Sequence, residues 1–253
     1  MVVSSQWPAC IWLVRHGEST GNVARDKAHA AGVSRIDIPS RDVDVELSER
    51  GRDQARAIGA WFAELDSNER PDSLLSSPYA RAQGTAVAIQ TCAGGKQALP
   101  LVTDERLREK ELGILDRLTR QGIEQFYPEQ AEIRRDLGKF YHRPPGGESW
   151  CDVILRLRSA LHTLSLHYAG RRVLIVTHQV VILCFRYLIE ELDEKRLLSI
   201  DAQGDIANCA ITSYRLGEGP GAGLELERFN WVVPLRESGT SVTAQPDPSS
   251  AAR

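Results

Sequence analysis

A three-layer α/β/α sandwich around a mostly parallel sheet is the fold the 253-residue sequence predicts, and three observations lead there. The runs ending at Arg15 and Thr177 are apolar on both faces, as strands buried between two layers of helices must be. Strand-like and helix-like segments alternate along the chain, which is the pattern of a sheet covered on both sides. Two late segments alternate apolar and polar residues around a Gly- and Pro-rich turn, as an outer hairpin does.

Taken in order, Cys10-Ile-Trp-Leu-Val-Arg15 reads as a buried strand followed by small and polar residues through Asn22. Ser48 caps a helix whose Ala55, Ile58, Trp61, Phe62 and Leu65 recur at helical spacing, an aromatic stripe for the sheet. Ser73–Ser76 is a short strand stopped by Pro78, and 80–91 is an Ala-rich helix with Arg81 in its first turns. Another strand is expected over 99–103, and helices over 118–137 with an interruption near Pro128. Ser149 caps a long amphipathic helix through Val153, Leu157, Leu161 and Leu164, ended near Gly170. Val173–Thr177 is a central parallel strand, 180–190 a buried helix, and 209–216 with 224–231 the hairpin. Residues 1–235 are expected to form one α/β domain with a lid-like insert at about 114–147. The Ser-, Thr-, Ala-, Pro- and Gly-rich stretch 236–253 cannot bury enough apolar surface to order itself and is expected to be an unstructured tail.

Composition narrows the function. With a formal net charge of -3 and no dense basic run, the chain lacks the footprint of a nucleic-acid binder, so its anionic partner should be small. No stretch approaches the roughly 18 uninterrupted apolar residues of a membrane span. Cys10, Cys92, Cys151, Cys184 and Cys209 are widely spaced, which suits reduced thiols and a cytoplasmic location. Neither a His-Glu-x-x-His motif nor clustered Asp pairs are present, and no Gly-rich loop ends in Lys-Ser/Thr, so metal-hydrolase and nucleotide-kinase chemistry find no support.

The chemistry concentrates where strands end. Arg15 offers a planar fork of donors to a phosphate, and neutral His16 a ring nitrogen able to attack phosphorus, which predicts phosphoryl transfer through a phosphohistidine. One nitrogen of His16 should face the phosphorus while a backbone carbonyl holds the proton on the other. Three further segments deliver phosphate-competent groups at strand ends: Ser77-Pro-Tyr-Ala-Arg81-Ala82, Leu107-Arg-Glu109-Lys-Glu-Leu-Gly113, and Thr177-His178. Arg15 and Arg81 are the expected grips on the equatorial oxygens of the transferring group.

Arg15-His16-Gly17-Glu18-Ser19 with Asn22, and the order of the other three segments, resemble the histidine phosphatases, the family that includes the phosphoglycerate mutases. The resemblance covers roughly residues 10 to 215. It implies that His178 is a second histidine donating to phosphoryl oxygens, and that Glu109, in Leu107-x-Glu-x-x-x-Gly113, is the proton donor to the leaving group. Asn22 matches the family's phosphate-contacting amide, with closure of its own loop through backbone bonds as the alternative. Glu18 would orient neighbouring donors. Where many relatives have Gly after the second histidine this chain has Gln179, which is similar to the Cys-His-Gln segment of fructose-2,6-bisphosphatase domains. The implied activity is a metal-independent, cofactor-free phosphohydrolase acting on a small phosphomonoester. A bisphosphoglycerate-dependent phosphoglycerate mutase and a non-catalytic phosphate-ligand binding protein are the alternatives. Arg117, Arg120, Arg134, Arg135, Lys139, His142 and Arg143 of the insert offer further contacts to an acidic substrate, or simply solvated helix faces.

Overall fold

Six strands form one sheet in the order β3-β2-β4-β1-β5-β6 in the computed structural model, which describes residues 6–93, 99–219 and 221–244. They are β1 (Cys10–Arg15), β2 (Ser73–Ser76), β3 (Leu101–Thr103), β4 (Arg172–Thr177), β5 (Ile211–Leu216) and β6 (Leu224–Trp231). The first four run parallel, β5 pairs antiparallel with β1 and β6 antiparallel with β5, so the sheet is mixed and mostly parallel as expected. The central strands β1 and β4 pair in register with Arg15 opposite Thr177.

Alternation along β1 and β4 sends side chains to two separate cores. Ile11, Leu13, Val173 and Ile175 face α6 (Trp150–His167), α7 (Gln179–Ile189) and α8 (Glu194–Ala202). Trp12, Val14, Leu174 and Val176 face α2 (Glu49–Glu64), α3 (Ala80–Ala93) and α9 (Val233–Glu237). The predicted stripe on α2 performs as read: Ala55, Ile58 and Phe62 are fully buried, and the Phe62 ring meets Trp12 edge-on at 5.6 Å. Ser48 and Ser149 cap their helices, accepting from the backbone N–H groups of Gly51 and Asp152.

The insert consists of α4 (Arg120–Phe126) and α5 (Pro128–Tyr141), with Pro128 at the first turn, where its missing N–H costs no helical bond. Its two ends are drawn together by a bridge between Leu112 and Gly147. This approach needs glycine at Gly113, which has φ +55°; a Cβ there would stand 2.1 Å from the Pro145 carbonyl oxygen.

Two differences from the sequence reading bear on the site. A helix not foreseen, α1 (Thr20–Ala30), follows β1, because its buried face is made of Gly21, Asn22, Arg25 and Ala28 and carries no apolar stripe. The stretch expected to be unstructured from residue 236 is instead folded over its described part. There α9 closes, and Thr243, 7% exposed, is held by Gln54 and Asn208. Polar bonding to buried amides orders this segment where apolar burial could not. Residues 245–253 lie outside the described residues.

Candidate active site

The parallel pairing of β1 and β4 places the residues that follow them side by side. His16 N–H donates to the Thr177 carbonyl at 2.9 Å, and the His16 and His178 rings stand 5.1 Å apart at 61°. Both residues are fully buried. His16 Nδ1 lies 2.7 Å from the Gly17 carbonyl oxygen, which can only accept, so Nδ1 carries a proton and a neutral ring here would hold its lone pair on Nε2. That is the tautomer a nucleophile at phosphorus needs. His178 Nε2 lies 2.8 Å from Ser77 Oγ, and its ring packs 5.2 Å from that of Tyr79.

The arginines arrive from two directions. Arg15 ends β1, is fully buried, and donates to the Ile206 carbonyl. Arg81, in the first turn of α3, is also fully buried, and its fork is aligned by Asp42. Nη1 donates to the Asp42 carbonyl at 2.7 Å and to Oδ1 at 3.0 Å, and Nη2 to Oδ2 at 3.3 Å. Its guanidinium sits 4.9 Å from the Tyr79 ring centroid. Thr85 links this helix to the loop after β1, accepting from Gly17 N–H at 3.0 Å and donating to the Arg81 carbonyl at 2.9 Å.

Glu109 is fully buried. Thr177 Oγ1, at the end of β4, donates to the Leu107 carbonyl at 2.8 Å, so the strand that presents His178 also holds the loop that carries Glu109. One Glu109 oxygen accepts from Lys110 N–H at 2.8 Å. Arg156 of α6 grips the same loop through the Arg106 and Glu109 carbonyls and pairs with Glu148.

Asn22 and Glu18 take structural positions. Asn22 Oδ1 accepts from both Ser19 N–H and Ser19 Oγ at 2.9 Å, while Asn22 N–H donates to Ser19 Oγ, a capping box at the start of α1. The carbonyl end of the side chain thus closes its own loop. Glu18 accepts from Ser48 Oγ at 2.6 Å and Arg50 Nη1 at 3.2 Å, and so ties the loop to the start of α2. The loop is pressed on that helix: a Cβ on Gly17 would meet the Gly51 carbonyl oxygen at 2.4 Å.

Several residues that shape the site carry no local sequence signal. Asn208 Nδ2 donates to the His16 carbonyl at 3.1 Å and is itself held by Thr243. Gln54 accepts from Glu18 N–H at 2.8 Å and donates to Thr243 Oγ1 at 2.8 Å. Asp42 lies in a three-residue turn too short to show a period. Among the described residues no group of three or more His, Cys, Asp or Glu side chains is placed to hold a metal ion, and no helix is long and apolar enough to cross a membrane.

The chain is similar in sequence and fold to known proteins. The profile of the histidine phosphatase superfamily (branch 1) matches residues 11–231. A probable phosphoglycerate mutase GpmB of Yersinia pestis (strain Pestoides F) is 30% identical over 216 residues, covering 83% of this chain and 86% of that one. Bacillus stearothermophilus YhfR superposes with a TM-score of 0.70 at 26% identity, over 89% of this chain and 98% of that one. Mycobacterial glucosyl-3-phosphoglycerate phosphatase, solved with VO3, superposes with a TM-score of 0.65 at 26% identity, over 88% of this chain and all of that one. A second structure of that phosphatase holds inorganic phosphate. On the family profile, the curated relatives and the shared sheet, the chain belongs to branch 1 of the histidine phosphatase superfamily.

Proposed function

We propose that the protein is a phosphomonoester hydrolase that works through a phosphohistidine at His16. The observation that carries this reading is the 2.7 Å contact of His16 Nδ1 with the Gly17 carbonyl, which leaves Nε2 as the attacking nitrogen beside His178. In the first step the Nε2 lone pair attacks phosphorus and the bond to the leaving oxygen breaks, while Glu109 gives its proton to that oxygen. In the second, the Glu109 carboxylate takes a proton from water as the water oxygen attacks phosphorus. The P–N bond then breaks, its electron pair returns to Nε2, and inorganic phosphate leaves. Arg15, Arg81 and His178 hold the equatorial oxygens, on which charge is spread in the transition state. Asn22 is the remaining phosphate contact of this reading. The helical insert over about 114–147 acts as a lid, and residues 1–235 as one catalytic domain. The five cysteines, none in a disulfide, support a reducing compartment such as the cytoplasm.

The solved relatives that are phosphatases favour hydrolysis over transfer, whereas the curated relative named a probable phosphoglycerate mutase keeps the mutase as a second reading. Rapid quenching with a ³²P-labelled phosphomonoester separates them. Hydrolysis gives an acid-labile, base-stable phosphoenzyme, free phosphate whether or not a chelator is present, and neither product in His16→Ala. Isomer formation that depends on 2,3-bisphosphoglycerate would establish the mutase instead, and tight phosphate binding without turnover a binding protein.

A further inference from the structure

Tyr79 stands where the phosphate-gripping side chains meet the loop that carries Glu109. It follows Pro78 between β2 and α3 and is buried. Its ring meets that of His178 at 69°, with 5.2 Å between centroids, and the Arg81 guanidinium lies over it. Its hydroxyl points the other way in function, donating to Glu111 Oε1 at 2.6 Å. Burial, followed by that hydrogen bond, pushes the phenol pKa up, so the hydroxyl keeps its proton and acts as a donor.

Glu111 lies on the Glu109 loop, and its backbone is fixed there. Its N–H donates to Glu148 Oε2 at 3.2 Å, and its carbonyl accepts from Glu148 N–H at 2.9 Å, next to the bridge between Leu112 and Gly147. The Glu111 side chain is 44% exposed, with Arg108 Nε 3.9 Å from its Oε1. A glutamate so open to solvent needs no protein partner to satisfy its charge, yet this one reaches back to a phenol from a segment 32 positions away. One side chain therefore touches His178 and Arg81 with its ring and the Glu109 loop with its hydroxyl. Reacting groups carried on separate segments must be held to within about 0.5 Å of one another, and this hydrogen bond joins two of those segments.

We propose that Tyr79 is a positioning residue that holds the Glu109 loop in register with His178 and Arg81, so that proton delivery to the leaving oxygen is aligned with the phosphoryl group. The proposal rests on the hydrolase reading above, in which Glu109 serves that oxygen. Ring and hydroxyl have separable parts in it: Tyr79→Phe keeps the packing on His178 and Arg81 and cuts only the tie to Glu111.

Two esters and a double-mutant cycle test this. p-Nitrophenyl phosphate releases a stabilised phenolate that needs no proton, whereas glycerol 3-phosphate releases an alkoxide that does. The quantity to follow is kcat/KM, which reports the step in which the leaving oxygen departs. Tyr79→Phe should raise the ratio of kcat/KM on the aryl ester to that on the alkyl ester about tenfold. Glu111→Ala should raise it as much and the double variant no further, since both changes break the same bond. A merely structural role would lower both esters together. An unmoved ratio, or effects that multiply in the double variant, overturns the tie, and Glu111→Ala on its half-exposed loop decides the ratio should Tyr79→Phe fail to fold. Calorimetry reads the same coupling without turnover. Orthovanadate, which can place an apical oxygen where the leaving oxygen would stand, should bind Tyr79→Phe about tenfold more weakly, while inorganic phosphate loses less than about threefold. If the native protein hydrolyses neither ester, the hydrolase reading fails and the two anions still decide the tie: equal losses for both overturn it.

Discussion

Arg81 is aligned by an acidic side chain, and that pairing sets how the guanidinium can act. Asp42 compensates its charge in a fully buried position and fixes the plane of the fork. Asp42→Asn keeps the shape and removes the charge, so the fork retains its attraction for phosphate but loses its fixed direction. We expect kcat to fall about tenfold with KM unchanged or lower, because misalignment costs the transition state more than the ground state. Steady-state kinetics on one phosphomonoester checks the split, and a rise in KM with kcat intact would show that Asp42 acts on binding alone. His16, Arg15 and His178 are legible in the sequence because each ends or follows an apolar strand. Asp42, Thr85 and Asn208 were not, because they act across 39, 68 and 192 positions, a separation that leaves no periodic trace.

Elements were readable where an apolar stripe met a cap. Ser149 announces α6, and in the structure its hydroxyl and backbone N–H close a capping box with Asp152. Ser149→Ala removes the acceptor for the Asp152 N–H and should cost about 1 kcal/mol, read as a lower urea midpoint with an unchanged slope. An unchanged midpoint would show that Arg143, which also pairs with Asp152, carries the helix start by itself. By contrast α1 and α8 went unseen. The inner face of α1 is polar and small, and α8 buries only Leu197, Ile200 and Asp201 of its nine residues. Helices that exist to hold a loop or close an edge contribute little to hydrophobic periodicity, which is the signal a sequence carries most clearly.

At the scale of the whole molecule, Lys110 is a buried lysine whose burial disfavours its charge. Its pKa falls from 10.5 to about 8 through burial first and Arg134 second, a difference worth about 3 kcal/mol. The folded pKa lies below the unfolded one, so below pH 8 the lysine is charged in both states and the folded protein bears the full penalty. Between pH 8 and 10.5 the unfolded chain holds more protons, so this group's contribution to stability rises with pH and the penalty vanishes above 10.5. Lys110→Met should therefore be more stable than the native protein at pH 7, by up to about 3 kcal/mol, and the gap should close by pH 10.5. Denaturant melts of both proteins at pH 7 and 10 measure it, and a gap independent of pH would mean that packing rather than charge is responsible. The overall architecture was legible because strand and helix signals alternate through the core. The ordered stretch through Thr243 was not, since its hold on Gln54 and Asn208 is polar.

That hold has a consequence for biosynthesis. The proposed nucleophile, His16, precedes most of the sheet in the chain, yet the amide that braces its carbonyl is itself braced by Thr243. A nascent polypeptide can lay down its central strands early, but the pocket around His16 gains its last support only when residue 243 has left the ribosome.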